Sequence, residues 1–152
     1  MKMKTSELSG ATLDWAVALI EFPEPDYEND DRLVYVHGDD EFHFTPSTDW
    51  AQGGPIIESE WISVSKPVNS LTWVATMHYQ NEDTDDVMWM EETGTTPLIA
   101  AMRCYVGSKL GDEVEVPEEL LSCKYCGGNC MLDNDHACDG YLGDIDKLYA
   151  ND

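Results

Sequence analysis

Thr95-Thr96-Pro97-Leu98-Ile99-Ala100-Ala101-Met102-Arg103-Cys104-Tyr105-Val106-Gly107-Ser108-Lys109-Leu110-Gly111 is the stretch that decides the fold class. Thr95 or Thr96 offers a capping hydroxyl, and Pro97 fits the first helical position, where an unbonded N–H is normal. Gly111 suits the turn past the helix end. Leu98, Met102, Tyr105 and Val106 fall on one buried stripe. A second helix is expected upstream, with Ser9 as cap and Gly10 to Ile20 as body. There Leu13, Val17 and Ile20 share a face with Ala16 beside them, and Pro23 and Pro25 end the run. Leu33 to His37 and Glu41 to Thr45 read as a hairpin around Gly38-Asp39-Asp40. Ile56 to Val64 and Leu71 to Tyr79 read as two more strands. In the latter Leu71, Trp73, Ala75, Met77 and Tyr79 alternate with more polar neighbours. Val87 to Met90 makes a short fifth strand after the acidic turn Asn81 to Asp86. The expected fold is α+β, a small antiparallel sheet packed with two helices. It would occupy residues 1–120 and be followed by a short Cys-rich tail over 121–152.

Charge narrows the function. The chain has 152 residues with 31 Asp and Glu against 8 Lys and Arg, a formal charge of −23. Phosphate is repelled by such a surface, which disfavours direct nucleic-acid binding and anionic membranes. Apolar residues make up 42%, enough to bury a core, so full disorder is not expected. The longest apolar run, Trp15 to Ile20, is far short of a membrane span, and Met1-Lys2-Met3-Lys4 lacks a signal peptide's apolar stretch. These features lead us to expect a cytoplasmic protein. Its acids are clustered: nine from Glu21 to Glu41, six from Glu82 to Glu92 and five from Asp112 to Glu119, with Arg32 the only cation in any of the three. Such clusters serve solubility as solvated loops, or they imitate nucleic acid. Duplex DNA spanning a globule of this size, roughly 38 Å, carries about 22 phosphate charges. Mimicry would further require the carboxylates to share one face.

The least generic segment is Thr45-Pro46-Ser47-Thr48-Asp49-Trp50-Ala51-Gln52-Gly53-Gly54-Pro55. One interpretation is a single helical turn capped by Ser47, stopped by Gly53, with Trp50 pinned to the core. The other is a ligand loop of Ser47, Thr48, Asp49, Trp50, Gln52, Gly53 and Gly54. There the glycines would admit close backbone approach and the indole would stack on a flat group. The segment is neither a P-loop nor a Rossmann turn, because the lysine or third glycine is missing.

Three blocks give the chain a resemblance. KTSELSGATLDWAVA from Lys4 to Ala18, TPSTDWAQGGPIIE from Thr45 to Glu58, and TPLIAAMRCYVGSKLGDEVEVPEEL from Thr96 to Leu120 closely resemble the NinX-like family of phage proteins. The resemblance implies a product of a small accessory gene acting in the cytoplasm of the infected bacterial host. The family has no assigned function, so no catalytic residues carry over. The long acidic stretch before Thr45 and the cysteine tail depart from the family pattern.

Cys104 lies alone on the predicted helix and reads as a small core residue. The other four cysteines crowd together as Cys123-x-x-Cys126-Gly-Gly-x-Cys130, then His136-x-Cys138. Cys-x-x-Cys followed by two glycines has the shape of a zinc knuckle, and cytoplasmic thiols stay reduced. Cys123, Cys126, Cys130 and Cys138 are the favoured ligands of a structural zinc, with His136 as alternate. Asp133, Asp135 and Asp139 do not form an EF-hand, whose glycine and terminal glutamate are absent. His37 and His43 flank the predicted hairpin turn, and no Ser-His-Asp order or nucleophile elbow can be assembled. The sequence thus points to a non-catalytic binder of a host protein through an acidic, nucleic-acid-like surface. The alternative is a small-ligand-binding protein or hydrolase built on Thr45 to Pro55 with His43.

Overall fold

The computed structural model describes residues 1–22, 24–28, 33–36 and 42–121. Among them are the helices α1 (Gly10–Glu21), α2 (Trp50–Ser59) and α3 (Pro97–Leu110). The strands are β1 (Lys2–Lys4), β2 (Pro25–Glu28), β3 (Leu33–Val36), β4 (Phe42–His43), β5 (Ser63–Ser65), β6 (Trp73–Gln80), β7 (Val87–Gly94) and β8 (Glu113–Glu115).

Helix α3 is the centre, formed as its sequence predicts. Thr96 Oγ1 accepts the Ile99 N–H at 3.1 Å, and Gly111 leaves the helix at φ 89°, where a side chain would be strained. Leu98, Met102, Tyr105 and Val106 are all buried. At the start of α1, Thr12 Oγ1 accepts the Ser9 N–H at 3.2 Å and donates to the Ser9 carbonyl at 2.8 Å. Leu13, Ala16 and Val17 are buried, and Ile20 is half-buried against the core.

The described residues form three small antiparallel sheets, not one; two pack against α3 and the third against α1. The largest has the order β5-β6-β7. Ala75 and Met77 of β6 are buried, while Trp73 and Tyr79 of the same face pack at the core's margin. Leu71 is exposed, so the expected alternation begins at Trp73; β7 continues past Met90 to Gly94. The sheet β2-β3-β4 contains the expected hairpin, with Tyr35 opposite His43 and Val36 opposite Phe42. Its predicted turn lies outside the described residues. In the third sheet, β1 pairs with β8 so that Lys2 faces Glu115, Met3 faces Val114 and Lys4 faces Glu113. Buried Met3 and Val114 sit between two opposite-charge pairs.

The main correction concerns Ile56 to Val64. Ile56 to Ser59 close α2, and only Ser63 to Ser65 are strand, so the described residues hold three α-helices where two were expected. Burial of Ile56 and Gly53 outweighs the breaking tendency of Gly53-Gly54-Pro55. The core runs from Met3 to Leu121. No helix among the described residues is long and apolar enough to cross a membrane.

Candidate functional site

Each polar group of the Thr45–Pro55 segment has a definite place. Asp49, not Ser47, caps α2, its carboxylate accepting the Ala51 N–H at 2.9 Å. The helix does not stop at Gly53, and Trp50 is 56% exposed, not pinned to the core. Ser47 is buried and its N–H donates to Asp14 Oδ1 at 2.9 Å, tying this segment to α1. The Ser47 hydroxyl is buried beside the same carboxyl, without a hydrogen bond of good geometry among the described residues. Burial pushes the Asp14 carboxyl up to about 6, with hydrogen bonding from Ser47 acting the other way. Gln52 is a brace: its carbonyl accepts the Thr45 N–H at 2.7 Å and its amide donates to the His43 carbonyl at 3.1 Å. Gly53 is buried with no space for a Cβ, whereas Gly54 has only the Trp50 ring nearby, at 4.0 Å. Thr48 is exposed. The seven sequence-predicted residues therefore share one segment, but Ser47 and Gly53 face inward while Thr48 and Trp50 face solvent.

A cleft of about 1020 Å³ lies elsewhere, where α2, β6 and α3 end. Glu60, Trp61, His78, Asp83, Asp85 and Lys109 are among its lining residues. Trp61 is 88% exposed and adopts φ 56°, the left-handed region uncommon for a bulky side chain. Lys109 Nζ stands 3.7 Å from Glu60 Oε2. The β6–β7 turn is self-bonded: Asn81 Oδ1 accepts the Asp83 N–H at 2.9 Å, and the Asp85 N–H donates to the Asn81 carbonyl at 2.8 Å. Gln80 donates its side-chain amide to the Asp85 carboxylate. These bonds hold Glu82, Asp83, Asp85 and Asp86 exposed with no cation in the turn. Beside it, the His78 ring meets Trp89 edge-on with centroids 4.6 Å apart. Trp61 escaped the sequence reading because it fell inside a supposed strand; the polar run Glu58-Ser59-Glu60 before it was the available sign.

Among the described residues, Arg103 and Cys104 serve the fold. Arg103 donates from Nε to the Leu8 carbonyl at 2.7 Å and from Nη1 to the Thr93 carbonyl at 2.8 Å. Burial raises the Glu92 carboxyl, and the charge of Arg103 restrains that rise. Cys104 is a core residue, as expected; burial first, then Glu92 and Glu91, push its thiol up to about 12. It is no nucleophile at neutral pH. No group of three or more metal-ligating side chains occurs among the described residues. Cys123, Cys126, Cys130, His136 and Cys138 lie outside them, as does His37.

Fold and site define a small acidic α+β protein with a carboxylate-rich polar cleft. Residues 4–109 match the family described as Bacteriophage P22, NinX, and the chain belongs to that phage family. The match takes in the first two resembling blocks whole and the third through Lys109. No curated protein matches the chain.

Proposed function

We propose that this chain is a phage accessory protein that captures a host protein in the infected cell's cytoplasm through its acidic surface, without catalysis. The observation that supports this reading is the cleft and its turn. Glu60, Glu82, Asp83 and Asp85 line it together with the exposed Trp61 indole, and Lys109 is already drawn to Glu60. Such a field steers in a partner with a basic groove, such as a nucleic-acid-handling protein. A hydrolase on Thr45 to Pro55 is less well supported, since Ser47 is buried and Asp49 and Gln52 already bond the backbone. In a host extract, the captured protein should be released between low and physiological salt, as the screening length contracts to about 8 Å. Asp83→Asn, Asp85→Asn and Asp86→Asn together should weaken its binding about 10-fold while leaving the fold intact. Asparagine tolerates the positive φ of Asp85. Loss of binding in Trp50→Ala with an unaffected triple variant would transfer the site to Thr45–Pro55 and end this proposal.

For the tail we propose one structural zinc on Cys123, Cys126, Cys130 and Cys138, with His136 as alternate ligand. The reading rests on their spacing. Metal analysis of the reduced, chelator-free protein should find about one zinc per chain. Cys123→Ser should release it without altering the unfolding of the body, which has its own core between Met3 and Leu121. A zinc-free preparation would overturn the assignment.

A further inference from the structure

Strand β7 is, with β5, one of the two outer strands of its sheet. One side pairs with β6 from Val87 to Gly94, and the other carries no strand among the described residues. The far end of that strand is occupied, because Arg103 takes the Thr93 carbonyl and Gly94 is buried against the backbone of Ala100. From Val87 to Glu91 no described strand pairs with this edge. Val87 is 73% exposed and Trp89 54%, with Met88 exposed between them. An edge this long and apolar is what folded proteins usually cover or charge, because its free N–H and C=O groups template a further strand. We propose that the β7 edge receives an extended lysine- or arginine-bearing segment of the partner as a fourth strand, an inference that rests on the acidic-surface reading above.

Charge selects that occupant. Val87, Trp89 and Glu91 share the outer face by the two-residue period, and Asp85 and Asp86 precede Val87 in the turn. A segment laid along the edge therefore meets carboxylates at both ends and apolar surface between them. Alternating cationic and β-branched side chains match this pattern, while the ladder supplies main-chain hydrogen bonds. A second copy of the chain would bring the same carboxylates and a charge of −23 to the edge. Asp85, Asp86 and Glu91, all exposed, thus oppose self-pairing and favour a basic strand.

A short alternating lysine–valine peptide and a copy N-methylated on every other amide test this at low salt, with binding followed by calorimetry. Both have the same charge, but the methylated one cannot donate along one edge. The parent peptide should bind and slow hydrogen exchange of backbone amides between Val87 and Glu92. The methylated peptide should bind at least ~10-fold more weakly. Trp89→Ser, folded by circular dichroism, should also weaken the parent peptide. Equal binding of both peptides would overturn strand addition yet leave the acidic-surface reading standing. Binding of neither would end both, and a dimer that excludes the peptide would make the occupant a second copy.

Discussion

Gly53→Ala is expected to destabilise the protein by about 2–3 kcal/mol, despite alanine's helix preference of about 1 kcal/mol. An added Cβ would run into the Pro46 carbonyl oxygen and stand 2.7 Å from Leu98 Cδ2. Neither neighbour yields easily. Pro46 is buried and precedes Ser47, whose N–H is fixed on Asp14, and Leu98 is buried at the start of α3. Gly54→Ala is the matched control, one residue further along the same helix. Its Cβ meets only the Trp50 ring at 4.0 Å, so the propensity gain should survive and stability should rise by up to about 1 kcal/mol. Denaturant unfolding of the two variants should therefore move the midpoint in opposite directions. A Gly53→Ala protein as stable as the parent would mean that α2 does not press on Pro46 and Leu98 as described.

That close approach also explains what was and was not legible in the sequence. Helix α3 carries its own punctuation in Thr96, Pro97 and Gly111, and its stripe is buried because local pattern and tertiary packing agree. Helix α2 has the opposite character. Gly53-Gly54-Pro55 reads as a breaker, and Pro55 cannot donate the usual helical bond, yet the helix continues because Gly53 and Ile56 pack inward. The β1–β8 pair was illegible for another reason. Three-residue strands hold no period, and the complementary Lys-Met-Lys and Glu-Val-Glu signs are separated by nearly the whole body. For the candidate site, the sequence disclosed the acidic turn from Asn81 to Asp86, since charge needs no fold to be counted. It did not disclose the cleft, which forms only when the ends of α2, β6 and α3 meet, nor the edge of β7, which depends on strand order.

Asp14→Asn should stabilise the protein at about pH 8 and leave it nearly unchanged at about pH 4. Asp14 is buried, and its carboxyl titrates near 6 in the folded state against an ordinary value of 3.8. Between those values the folded chain holds a proton that the unfolded chain has released. Stability therefore falls as pH rises through this window, by on the order of 3 kcal/mol from this group alone. Asparagine keeps an acceptor for the Ser47 N–H and carries no charge to desolvate. Its amide can also donate to the Ser47 hydroxyl, which is buried beside the Asp14 carboxyl. The stability difference between Asp14→Asn and the parent should accordingly grow from about pH 4 to about pH 6 and then level off; taking the difference cancels the titration of the exposed carboxylates. Asp14→Ala provides the opposing case. It strands the buried Ser47 N–H and should cost about 1–3 kcal/mol at about pH 4, where the parent's carboxyl is neutral. A flat difference curve for Asp14→Asn would mean that Asp14 is no more costly to ionise than a surface carboxylate. The link between α1 and the segment entering α2 would then be an ordinary hydrogen bond, without the buried-charge cost that makes it pH-sensitive.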